Sequence, residues 1–148
     1  MPNAQAAIAR AAGAERVFDR RDPALADQIR DGAGGVDRII EVAFGANLET
    51  SLKVLKANGV IAAYSSDAEP TPALPFWPLV LLEATVRFVL VQAMTREAHE
   101  APARAITEAL EAGWLRHNIG RILPLERIAE AHELVESGTA GGKVVLEI

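Results

Sequence analysis

Segments of helical and strand character alternate along this chain, and no two strand-like runs are joined by the tight turn that would make a hairpin. That pattern leaves few outcomes. Parallel strands cannot follow one another through a two-residue turn and need a crossover of a dozen or more residues, usually a helix. The chain is therefore expected to fold as a mostly parallel α/β sheet with right-handed crossovers.

The segments are punctuated by proline, glycine and capping residues. Asn3 is placed to cap a helix over Ala4–Ala12 that Gly13 closes, and a short strand, Arg16–Phe18, follows. Asp22 before Pro23 gives an N-cap with proline in the first helical position, opening a helix to about Asp31 that Gly32 stops. Val36–Ala43 (VDRIIEVA) has an apolar centre, as in a strand covered on both faces. Asn47 is expected to cap a helix to Ala57, with Leu48, Leu52 and Leu55 at helical spacing, and Asn58-Gly59 ends it before a strand over Val60–Tyr64.

Four of the eight prolines, Pro70, Pro72, Pro75 and Pro78, fall within Asp67–Pro78, which must be a loop because proline cannot donate to a backbone ladder. A short helical turn is expected next, and then a strand, Thr85–Val91, rich in β-branched residues. Thr95 caps a helix to Ala112 that stops at Gly113, with a kink or a late start imposed by Pro102. The last third, Trp114–Ile148, holds a strand-like run, a helix opened by Pro124 and closed by Gly138, and an apolar strand from Lys143 to Ile148.

Composition removes several function classes. With 148 residues, half of them apolar and few aromatic, the chain reads as one soluble globular domain. A net charge of -5 without any Lys/Arg cluster gives nucleic acid nothing to bind. No cysteine is present, so disulfides and thiolate zinc ligands are impossible and a reducing cytoplasm fits. The most apolar window, Leu79–Met94, is broken by Glu83 and Arg87, so no membrane span is expected. His99, His117 and His132 are scattered without a second ligand at metal spacing. Gly32, Gly34 and Gly35 follow a helix and precede a strand, the reverse of a phosphate-gripping strand–turn–helix, and read as a helix stop and loop.

Four stretches in order, AGAERVFDRRD, GGVDRIIEVAFG, LKVLKANGVIAAYSS and PLERIAEAHELVESGTAGGKVVLEI, resemble the zinc-independent quinone oxidoreductase (zeta-crystallin-like) branch of the medium-chain dehydrogenase/reductase superfamily. The resemblance implies an incomplete Rossmann-type, doubly wound parallel sheet that lacks the first two strands. It implies a fragment, with residues 1–120 as a partial dinucleotide-binding domain and 121–148 as a segment returning to an absent catalytic domain. Arg16–Phe18 would then be displaced, re-paired against Val36–Ala43, or completed by another chain.

The activity so implied is NADPH-dependent hydride transfer to a quinone or activated alkene. The cofactor supplies that chemistry, so no catalytic residue is assigned. By resemblance, Arg20 lies near the adenosine ribose and its 2′-phosphate; Val42, Ala43, Phe44, Ser65 and Ser66 face the ribose and nicotinamide; and Val91 and Gln92 pass beside the nicotinamide. Ser65 stands where the family carries glycine. Lys143, in the terminal GKVVL, and His132 read as structural. A homodimer through the strand Thr85–Val91 is implied as well, and the competing reading is a non-catalytic module that keeps only this self-association. A zinc-dependent alcohol dehydrogenase is a third reading, whose usual ligands would lie upstream.

Overall fold

The computed structural model describes residues 2–148, with side chains described from Gln5 onward, so the capping expected of Asn3 lies outside the described side chains. The elements run α1 (Pro2–Ala11), α2 (Leu25–Ala33), β1 (Val36–Glu41), α3 (Phe44–Val54), β2 (Leu55–Ala63), α4 (Phe76–Leu81), β3 (Thr85–Phe88), α5 (Arg96–Glu111), β4 (Ile119–Pro124), α6 (Ile128–Glu136) and β5 (Lys143–Glu147). The chain divides into two compact units, Met1–Ala98 and His99–Ile148. No helix among the described residues is long and apolar enough to cross a membrane.

The first unit is built on a three-stranded sheet in the order β1-β2-β3, parallel throughout as the alternation requires. Its core follows from two periodicities. Phe44, Leu48, Ser51 and Val54 form the buried stripe of α3, and Ile61 and Ala63 are the alternate residues of β2 that face it. Ile39 and Val86 flank Ile61 in register and complete this layer. Helix α2 packs beside α3.

Several boundaries differ from the sequence reading. Arg16–Phe18 pairs with no strand among the described residues, so β1 is a sheet edge, and of the three outcomes set out for that segment re-pairing against β1 is not the one seen. Arg16 instead lays its guanidinium over Gly32, where a single added carbon would collide with it. Gly32 therefore gives clearance inside α2, and the stop falls to Gly34 at φ 66°. Asp22 does not cap α2, which opens at Leu25 with Ala24 as its N-cap and no side-chain capping bond; the Asp22 carboxylate instead accepts the Ala24 N–H at 2.8 Å in the turn before the helix.

Asn47 does not cap α3, which begins three residues earlier, directly out of the turn after β1. Leu55 and Ala57 belong to β2: Leu55 pairs with Val36, the ladder shifts, and Val60 pairs with Arg38 after an irregularity in the strand where Asn58 takes φ 61°. Helix α4 starts inside the expected proline-rich loop, since Pro78 falls in its first turn, where no N–H is needed. Strand β3 ends at Phe88, although the Val89 N–H still reaches the Ala63 carbonyl at 2.8 Å, and Val91–Ala93 form a 3-10 turn.

Helix α5 starts in the first unit, with the Thr95 hydroxyl accepting the Ala98 N–H at 3.3 Å, and runs unbroken through Pro102. In the second unit β4 and β5 pair in parallel across a 3-10 turn (Leu125–Arg127) and α6, burying Leu123, Ala131 and Ala140. The helix expected from Pro124 thus opens as a 3-10 turn and becomes α-helical at Ile128.

Candidate functional site

Because β1, β2 and β3 are parallel and in register, they end together in the row Glu41, Ala63, Phe88. The carboxyl edge of an open α/β sheet is where such folds bind ligands. Here it carries a cleft of about 520 Å³ lined by Phe44, Tyr64, Ser65, Ser66, Pro70, Pro72, Leu74, Phe88, Val89 and Leu90. Phe44 and Phe88 meet edge to face, with centroids 5.4 Å apart and planes at 83°.

Two loops are stitched together beneath this cleft. The Phe44 N–H donates to the Ser65 carbonyl at 3.1 Å, and the Tyr64 N–H to the Glu41 carbonyl at 3.1 Å. Ser66 Oγ accepts the Gly45 N–H at 2.9 Å and donates to the Glu69 carbonyl at 2.6 Å. Glycine is needed at position 45, because a Cβ there would sit 2.7 Å from both the Glu69 carbonyl and its Cβ. The first N–H groups of α3, which a helix leaves without internal partners, are thereby satisfied from the neighbouring loop.

Glu41 completes the arrangement. Only 7% exposed, it accepts the Ala43 N–H at 2.6 Å and the Asn47 side-chain amide at 3.0 Å through Oε1, at the positive end of the α3 dipole. Buried polar groups persist only when bonded in this way. Asn47 thus serves the turn through its side chain, from inside the helix it was expected to open.

Phe44, Ser65 and Ser66 line the cleft, and an isolated bridge ties Ala43 to Ser66. Ser66 has its hydroxyl engaged internally, which leaves Ser65 as the serine at the wall with a side chain less committed. Val42, in the bend just past β1, is 53% exposed and lies outside the lining. Val91 and Gln92 sit in the 3-10 turn just past Leu90, outside the lining. Arg20 lies in an exposed turn, also outside the lining, where the neighbouring Arg21 N–H donates to Asp19.

Glu41, Phe88 and Leu90 were not singled out from the sequence, and the proline-rich segment was read as a loop without a role in the site. The proline-rich loop could have been found by noting that it leaves the carboxyl end of β2. Phe88 could have been found from the parallel register, which sets it beside Ala63. The lining offers aromatic, aliphatic and hydroxyl groups and no carboxylate, imidazole or amine. It can hold a flat apolar ring and exclude water. No group of three or more potential metal ligands is found among the described residues.

The chain matches the zinc-binding dehydrogenase family over residues 12–146. It is 35% identical to a quinone oxidoreductase from Lama guanicoe and 32% identical to that from Homo sapiens, each over 139 residues, covering 90% of this chain and 41% of the relative. The chain thus spans less than half the length of these curated relatives. Among solved structures, an NAD-dependent alcohol dehydrogenase superposes with a TM-score of 0.80 at 25% identity, over 99% of this chain and 41% of its own. A mycobacterial protein in complex with NADPH superposes at 0.79 with 23% identity, over 97% and 46%, which shows a shared fold.

Proposed function

Because the chain belongs to the zinc-binding dehydrogenase family, within the medium-chain dehydrogenase/reductase superfamily, we propose that it is the nucleotide-binding portion of a quinone-reductase-type oxidoreductase. In this reading NADPH is the cofactor, and the acceptor is a quinone or activated alkene. The observation that carries the proposal is the apolar cleft at the carboxyl edge, walled by Phe44, Phe88 and Leu90 with a hydroxyl at Ser65. These residues fit the nicotinamide end of the cofactor, which when bound supplies the hydride. Phe44 and Leu90 would hold the ring and keep water away, and Ser65 would orient the ribose. Ser66 would shape the same wall, Val42, Ala43, Val91 and Gln92 would flank it as a rim, and Arg20 would meet a 2′-phosphate.

The proposal includes a zinc-independent reaction, residues 1–120 for the cofactor with 121–148 as a segment that packs on a catalytic domain, and a cytoplasmic setting consistent with the lack of cysteine. The described residues contain no glycine-rich strand–turn–helix to grip a pyrophosphate. NADPH is therefore expected to bind this chain weakly, with a Kd on the order of 0.1–1 mM, about 4–5 kcal/mol of binding free energy. Saturation-transfer NMR should place the protein against the nicotinamide protons. Low-micromolar affinity by calorimetry would refute the weak-grip argument. A spectrum with contacts only to adenine would refute the cleft as the nicotinamide site.

A second reading, a module that acts by self-association, is favoured by one observation. Strand β3 is the other edge of the sheet, and Phe88, Leu90 and Val91 beside it are 68%, 62% and 54% exposed. Unprotected apolar edges pair. Light scattering is expected to show a dimer, and Val91→Asp a monomer with unchanged circular dichroism. A wild-type chain that stays monomeric at high concentration would remove this reading.

A further inference from the structure

We infer that Glu41 tunes the cleft electrostatically, its buried carboxylate favouring the positively charged, oxidised nicotinamide ring over the neutral, reduced one. The inference rests on the cofactor reading above and deepens it by naming the redox state that the site selects. Glu41 is 7% exposed and is not part of the lining, yet three lining residues are tied to it. Ala63 is its register partner in β2, and the Tyr64 N–H bonds its carbonyl at 3.1 Å. Phe44 directly follows Ala43, whose N–H meets the Glu41 carboxylate at 2.6 Å.

The charge of Glu41 is costly where it stands. Both bonds to its side chain, from the Ala43 N–H and the Asn47 amide, end on Oε1, and a glutamine oxygen would accept them equally well. A carboxylate costs far more to bury than an amide. No lysine or arginine pairs with it among the described residues. The positive end of α3 stands against it, but that is equivalent to only about half a unit charge. A net negative charge therefore remains beneath the cleft.

In the proposed reaction that charge has a use. A hydride leaving for a quinone or activated alkene carries two electrons and one proton, so the ring it leaves gains one positive charge, and the acceptor takes a proton from water. The lining holds no charged side chain, so the field on the ring is set from behind the wall. Opposite unit charges roughly 10 Å apart, at an effective dielectric of about 20, change an affinity by more than about tenfold, of which the α3 dipole takes back part. Nearby carboxylates weigh less. Asp67 and Glu69 are exposed, and Glu49 is paired to Lys53 with its side chain 84% exposed, so water and salt screen all three.

The test measures binding of NADP+ and of NADPH to the full chain by NMR titration, following the ring signals of Phe44 and Tyr64. NADP+ is expected to bind the wild-type chain at least about threefold more tightly than NADPH. Glu41→Gln, which keeps both acceptor bonds, should raise the ratio of the NADP+ Kd to the NADPH Kd about three- to tenfold, tenfold being about 30 mV in the potential of the bound couple. A merely structural role would weaken both nucleotides together and leave the ratio alone. Glu49→Gln, at an exposed position on α3, should not move it, and an equal shift there would overturn the assignment to Glu41. A folded Glu41→Gln chain with the wild-type ratio overturns the inference. So does a wild-type chain that binds both nucleotides equally or prefers NADPH, a result that decides the matter even if Glu41→Gln fails to fold. If neither nucleotide moves the ring signals, the cofactor reading falls and takes the inference with it; binding at the cleft with an unchanged ratio removes the inference alone.

Discussion

Phe44→Ala is expected to destabilise the first unit by about 3–5 kcal/mol, the usual cost of removing a buried aromatic ring. For a unit of this size that is a fall in melting temperature on the order of 10–30 °C. Phe44 is 2% exposed, opens α3, and packs in one cluster with Leu48, Leu55, Ile61 and Ala63. Its loss would leave a hole that Phe88, which meets it edge to face, cannot fill from a strand fixed by the Ala63 pairing. The same ring walls the cleft, so stability and site are coupled at this residue. Phe44→Leu separates them: it keeps most of the buried volume, should cost roughly 1–2 kcal/mol, and should still weaken contact with a bound ring. Urea unfolding followed by tryptophan-independent circular dichroism checks both. A loss below about 1 kcal/mol for Phe44→Ala would mean that the α3–β2 packing does not hold the unit together.

What could be read in the sequence divides along a physical line. Local signals were legible at Thr95 before α5 and Gly138 after α6, which depend on residues within one turn of each other, whereas Asp22-Pro23 falls short of the α2 cap and Asn58-Gly59, read as a helix stop, lies inside β2. The parallel architecture was legible because alternation without hairpins permits little else. Where partners lie far apart in sequence, the reading failed. Asn47 has the right chemistry for a cap, yet the α3 N-terminus is satisfied by Ser65 and Ser66, about twenty residues downstream, and by Glu41. Arg16–Phe18 has strand composition, but a strand exists only with a neighbour to bond. The cleft was half legible. Phe44, Ser65 and Ser66 follow from the ends of strands, whereas Phe88 and Leu90 enter through the β2–β3 register, which no local pattern states.

Gly120→Ala is expected to disrupt the second unit, through lack of space and not through backbone conformation. A Cβ at position 120 would stand 2.1 Å from the Ala140 carbonyl oxygen and 2.6 Å from the Gly142 nitrogen, both backbone atoms that no side-chain rotation can move. Gly142 is equally confined, its Cβ position lying 2.6 Å from the Asn118 carbonyl oxygen. The two backbones cross here because the ladder shifts between Ile119 and Arg121 while the Lys143 N–H bonds the Asn118 carbonyl at 2.8 Å. Overpacking in a rigid site costs about 1–3 kcal/mol or more. A parallel pair of strands under one helix has little in reserve against that. Gly138→Ala is the control, since Gly138 has φ 65° but nothing within 4 Å of its Cβ position. There only the left-handed conformation is penalised, by roughly 1–2 kcal/mol. Amide exchange across Lys143–Glu147 should therefore speed up far more for Gly120→Ala than for Gly138→Ala. If the order is reversed, β4 and β5 do not approach as closely as their register requires.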